Sequence, residues 1–301
     1  MQDLTPRLAV FAVSTLLALS AAAHPGSGIV VDARGNVFVA DINRGLLRFG
    51  ADGKVTVVLP VAGHWLAHDS AGAFAGMEFE RSSHWPRWFK HRNPPGEGLM
   101  LISDGGSPLA IRGGDLYYAC SDEHMEPGGL QLCRLSPDGK LALVAPSMKA
   151  RVDALGGIKG LATGPDALFA TTPGAILKIG SDGAMTELKR PIVVANCDRY
   201  RPSNSPADHE PFLTGLALDS AGDVYLAATG CRAVVKLDAR GQLSSLMKAE
   251  PPWSPTGLAF HDRELYVVEW TNALGDTHEY RPRVRELGRD GSVRIVGTVP
   301  E

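Results

Sequence analysis

The chain lacks an excess of positive charge: 30 Lys and Arg stand against 33 Asp and Glu, a formal net charge of −3. Without a basic surplus to displace counterions from phosphates, no nucleic-acid partner is expected. Cysteine is scarce, with four in 301 residues and no Cys-x-x-Cys spacing, which argues against a structural zinc site. Gly-x-Ser-x-Gly is absent, and with it the nucleophile motif of one large hydrolase class. Asn204-Ser205-Pro206 lacks the third residue of a glycosylation acceptor. Only one long apolar run exists, Leu8 to Ala23, and it is too short to cross a bilayer comfortably. The mature chain is therefore expected to have no membrane span.

That run has a different meaning. Arg7 precedes it, Ala21 and Ala23 occupy the positions signal peptidase reads, and His24-Pro25 follows. Residues 1–23 are expected to be a signal peptide, leaving a secreted or periplasmic chain that begins at His24. An oxidising compartment lets cysteines pair. Of the three pairings open to four cysteines, Cys120–Cys133 suits adjacent strands of one hairpin, and Cys197–Cys231 suits two loops on one face.

Turn formers are plentiful, with 34 Gly and 21 Pro, and they punctuate a repeat. Residues 28–40 (GIVVDARGNVFVA) and 215–227 (GLALDSAGDVYLA) align without a gap; 257–268 and 160–170 repeat the pattern one and two residues shorter. Residues 65–74 and 107–118 follow it more loosely. The first positions are Gly28, Trp65, Ser107, Gly160, Gly215 and Gly257, 37 to 55 residues apart, near the period of propeller blades. The apolar runs are continuous, as strands buried on both faces require. Asp-x-x-Gly between the first two strands is turn chemistry, and Asp-Gly or Arg-Gly follows the third. The expected fold is all-β: one six-bladed β-propeller over 24–301, of four-stranded antiparallel blades near 28–60, 61–103, 104–149, 150–210, 211–253 and 254–299. Residues 75–103 show no clear third-strand turn.

The repeat resembles the NHL-repeat and gluconolactonase (senescence-marker-protein-like) propellers across the mature chain. That resemblance implies a rim of Glu, Asn and Asp oxygens holding a divalent cation at the loop-rich mouth. Here the Asn-Gly or Asp-Gly slots read Lys159-Gly160, Thr214-Gly215 and Thr256-Gly257, which suits such a cation poorly. With Ser27, His64 and Gly106, these residues precede the first strands and should rim the mouth.

Three classes of function follow. In the first, the mouth is a small-molecule or metal site; cleavage before His24 would give an amine and imidazole that, with His64, resemble the copper-binding histidine brace of lytic polysaccharide monooxygenases. In the second, a lactonase- or esterase-type hydrolase uses Asp41 and Glu269 as carboxylates, His64 or His278 as base and Lys159 as electrostatic clamp, with Trp270 and Tyr280 as an apolar wall. In the third, a noncatalytic module grips a protein or glycan through Trp65, Trp85, Trp88, Trp253 and Trp270. Ser27, Lys159, Thr214, Thr256 and Trp270 are the candidate ligand contacts.

Overall fold

A computed structural model describes residues 26–79, 88–93, 97–105, 107–120, 131–144, 157–197, 211–273 and 280–300. It is a six-bladed β-propeller. Blade one comprises β1 (Ile29–Val31), β2 (Val37–Asp41), β3 (Gly45–Phe49) and β4 (Val55–Leu59), paired antiparallel in that order. Blade three has β8 (Leu109–Arg112), β9 (Asp115–Cys120), β10 (Gln131–Leu135) and β11 (Leu141–Val144). Blade four has β12 (Gly160–Thr163), β13 (Ala167–Thr171), β14 (Ile176–Gly180) and β15 (Met185–Lys189). Blade five has β16 (Leu213–Leu218), β17 (Val224–Ala228), β18 (Ala233–Leu237) and β19 (Leu243–Lys248). Blade six has β20 (Trp253–His261), β21 (Glu264–Thr271), β22 (Pro282–Leu287) and β23 (Val293–Thr298). In blades one and four the second strand is buried at every residue, whereas the fourth is half-buried to exposed, as the central and outer positions of a stacked sheet demand.

Blade two departs from the four-stranded order. Its described strands are β5 (Trp65–Asp69), β6 (Trp88–Arg92) and β7 (Leu99–Ser103), and they pair in the order β5–β7–β6. Hydropathy explains the inversion. The second position is sandwiched between neighbouring blades, and Leu-Met-Leu-Ile-Ser of β7 is buried at every residue. β6 carries Lys90, His91 and Arg92 and suits only the outer position. After β5 the chain turns out through Asp69, whose Oδ2 accepts the Phe74 N–H at 2.8 Å. Phe74, Phe79 and Trp88 then stack in succession, with centroid spacings of 6.4 and 5.8 Å.

The six innermost strands (β1, β5, β8, β12, β16, β20) contact one another in turn around a central cavity of about 310 Å³. Among the described residues no strand is shared between the last blade and the first, and apolar side chains fill the seam behind the innermost strands. Ile29, Val37, Val39 and Phe49 of blade one pack with Tyr266, Val268, Trp270, Tyr280 and Val284 of blade six. Trp270 is 0% exposed at that seam, so it is a core plug and not a ligand wall. Tyr280, 4% exposed, is in the same core.

Both cysteine pairs are bridged. Cys120–Cys133 links β9 to β10 with Cα atoms 5.8 Å apart, and Cys197–Cys231 has Cα atoms 4.6 Å apart, both within the span a disulfide needs.

Candidate functional site

The glycine at the head of the repeat has a steric cause. A Cβ on Gly215 would lie 2.6 Å from the Thr256 carbonyl oxygen, and one on Gly28 would lie 2.5 Å from Leu66 N. Gly160 and Gly257 face the Thr214 and Ser27 carbonyls even more closely. Neighbouring innermost strands therefore meet backbone to backbone at the mouth, and only glycine allows it.

Hydroxyls staple the same contacts. Thr171 Oγ1 donates to Thr214 O at 2.6 Å, linking blade four to five. Thr214 Oγ1 lies 2.9 Å from Thr256 O and 2.6 Å from Thr229 Oγ1, and its single proton serves one of the two. Thr229 Oγ1 donates to Pro255 O, both links running from blade five to six. Thr256 Oγ1 donates to Gly26 O at 3.1 Å, and Ser27 and Gly28 N–H groups donate to His64 O. Lys159, Thr214, Thr256, Ser27 and His64 thus follow one another round a single rim. Sequence reasoning named these positions but missed Thr171 and Thr229, although a threonine ends or directly follows the second strand in three blades (Thr171, Thr229, Thr271).

Stapling changes what the rim can offer. Thr256 is 2% exposed and Ser27 6%, and the Thr214 hydroxyl already has two partners, so these residues hold the ring rather than present free oxygens to a ligand. A hard divalent cation wants charged or amide oxygens. A rim of one ammonium, one imidazole and committed hydroxyls does not fit calcium. Among the described residues no group of three His, Cys, Asp or Glu converges. His24 and His278 lie outside the described residues, as do His84, His124 and His209.

The two carboxylate candidates are likewise committed. Asp41 is fully buried; its Oδ1 accepts the Asn43 and Arg44 N–H groups at 2.7 and 3.1 Å, and its Oδ2 accepts from the Arg44 guanidinium. It shapes the β2–β3 turn. Glu269 is also 0% exposed and lies between Arg283 Nε and Arg285 Nε, the latter at 3.0 Å. Arg283 in turn reaches Glu250 and covers the Trp253 ring at 4.3 Å. Register dictates this, since Glu269 and Arg283 are directly paired across β21 and β22. Both Glu269 oxygens are therefore engaged by guanidiniums inside the blade.

Two half-buried ionisable side chains, Lys159 and His64, stand on the rim. The half-buried Lys159 side chain forms no hydrogen bond or ion pair among the described residues, and burial holds its amine below the ordinary lysine range. The half-buried His64 ring places Nδ1 2.8 Å from Asp104 O. A carbonyl only accepts, so Nδ1 carries the proton and the neutral ring has its lone pair on Nε2.

No family model and no curated protein matches the sequence. Solved structures do match in shape. A streptogramin B lyase is 15% identical with a TM-score of 0.52, over 94% of this chain and 86% of that one. A gluconolactonase from Xanthomonas campestris is 17% identical at 0.52, over 81% and 83%. Regucalcin from Agrobacterium tumefaciens, described as a calcium-binding protein, is 17% identical at 0.50, over 81% and 82%. The fold is that of the gluconolactonase- and regucalcin-like six-bladed propellers. At such identities the likeness concerns fold alone, and the rim of this propeller has its own chemistry.

Proposed function

We propose that the loop-rich mouth binds a small carbonyl compound, a lactone or ester, and hydrolyses it without a divalent cation. The observation that supports this most is the His64 ring, oriented on the rim by the hydrogen bond from Nδ1 to the Asp104 carbonyl, which assigns the base role to Nε2. Nε2 takes a proton from water as the water oxygen attacks the carbonyl carbon. Charge then develops on the carbonyl oxygen, where the half-buried Lys159 ammonium stabilises it more strongly than an exposed one could. The imidazolium returns the proton to the departing alkoxide, giving a hydroxy acid from a lactone or an acid and an alcohol from an ester. The likeness to a gluconolactonase supports starting with lactones. The two disulfides support an oxidising, extracellular or periplasmic setting.

A panel of five- and six-membered lactones and aryl esters, assayed in the presence of a chelator, tests this. Turnover should persist with the chelator, fall by about 100-fold in His64→Ala and by at least about 10-fold in Lys159→Met. Activity that vanishes with the chelator and returns with calcium would overturn the reading, as would no turnover of any compound. A copper ion shared with His24 would use the same His64 Nε2, so copper titration of protein starting at His24 separates a metal site from a base.

A further inference from the structure

At the end of the ring opposite the mouth, the tight turns of blades five and six border a cavity of about 590 Å³, within the usual range for small-ligand sites. One wall is apolar. Tyr225 and Phe260 meet edge to face with centroids 4.8 Å apart and planes at 81°, flanked by Leu218, Leu246 and Leu265. The cavity shares Leu218 and Phe260 with the central channel. Asp219 accepts the Tyr225 hydroxyl at 3.0 Å and lies 3.7 Å from Lys236, which pairs with Asp223 at 2.6 Å. Asp262 is 89% exposed and lies 3.4 Å from His261 Nε2. Two cations on the rim, Arg263 and Arg289, form no ion pair or side-chain hydrogen bond among the described residues.

Their positions are unusual within the repeat. Blade three makes the same two-residue turn, between paired Arg112 and Asp115, with Gly113 and Gly114 at φ +60° and +85°. Blade six makes it between paired His261 and Glu264 with Asp262 and Arg263 at φ +47° and +72°. A glycine there would cost nothing, whereas an arginine in the left-handed region carries a conformational penalty. Arg289 precedes Asp290-Gly291, where blades one, three, four and five have Ala51, Pro137, Ser181 and Ala239 before the equivalent pair. Blade six thus puts two guanidiniums that have no partner among the described residues beside an aromatic wall, one at the expense of backbone ease.

We infer that this cavity is a second binding site, distinct from the mouth, for a small organic anion with a flat apolar body, such as an aromatic carboxylate. The ring lies against Tyr225 and Phe260, and the carboxylate is held by Arg263 and Arg289 through charge-assisted hydrogen bonds. The inference is independent of the mouth chemistry.

Calorimetric titration of the whole protein with 2-naphthoate, with neutral 2-naphthamide as control, tests it. One saturable site for the naphthoate is expected, weakened about 10-fold or more by Arg263→Gly and by Arg289→Ala, and at least about 10-fold weaker for the amide. Arg263→Gly relieves the positive φ, so its melting temperature should hold or rise while binding falls. Such a split cannot come from damaged folding. No saturation below about 1 mM would overturn the site. So would naphthoate binding that both arginine variants retain, or that Lys159→Met abolishes instead.

Discussion

The two halves of the mouth are built differently. From blade four through five and six to one, glycines bring the innermost strands together and threonine hydroxyls staple each blade to the next. Across blades two and three the equivalent slots hold Trp65 and Ser107, and blade two takes its strands out of sequence order. Trp65 turns into the core between those blades, beside Leu101 and Leu116. Backbone contact joins one half, and side-chain packing fills the other. Lys159 and His64 stand where the halves meet, at the two ends of the stapled arc. Under the proposed hydrolysis, rigid staples on one side and freedom from glycine closure on the other hold the two groups while leaving room between them.

The contrast can be broken most forcefully in blade six. Removing the Glu269 carboxylate leaves Arg283 and Arg285, 5% and 9% exposed, with no buried counter-charge. Glu269→Ala should destabilise the protein by about 3–5 kcal/mol, read from the urea midpoint at unchanged slope. A loss within about 0.5 kcal/mol, the usual surface range, would show that the stapled arc does not depend on this network.

A matched pair measures the slots themselves. In Gly257→Ala the new methyl meets the Ser27 carbonyl across the seam between blades six and one, and about 1–3 kcal/mol should be lost. Ser107→Ala, at the same slot in the unstapled half, should change stability by no more than about 0.5–1.5 kcal/mol, as expected for one hydroxyl. Equal losses at both positions would mean that the two halves are not mechanically distinct.

Much of this was legible in the residues. The continuous apolar runs and Asp–Gly turns imply stacked four-stranded blades, and the recurring glycine marks where strands close on one another. Blade two was not legible because strand order there depends on which segment can be buried on both faces, a competition between Leu99–Ser103 and Trp88–Arg92 that local patterns do not resolve. Asp41, Glu269 and Trp270 read as site residues because they end second strands near the mouth. Their partners, the Asn43 and Arg44 amides, two arginines on the next strand and the core of blade one, come from turn geometry, register and ring closure. Lys159 and His64 stood out from the sequence for the opposite reason: they are chemically out of place in slots where the repeat otherwise offers small or neutral groups.

The smallest expected effect is also the most diagnostic of the mouth. Burial depresses the Lys159 amine, so at low and neutral pH the amine is charged in both states and the folded one bears the desolvation cost. As pH climbs, the folded amine loses its proton before the unfolded one, whose value stays near about 10.4. The unfolded chain then binds more protons, so this residue's contribution to stability rises with pH through that window. Lys159→Met removes the cost, so the variant should be more stable than the parent at pH 7, with the gap closing as pH approaches the ordinary lysine value. Urea titrations at pH 7, 8.5 and 10 would check it, and a gap that is absent or constant would mean that the amine is not desolvated. A variant that gains stability while losing turnover would show a cation kept in place at a cost to the fold, which is expected of a group retained for chemistry.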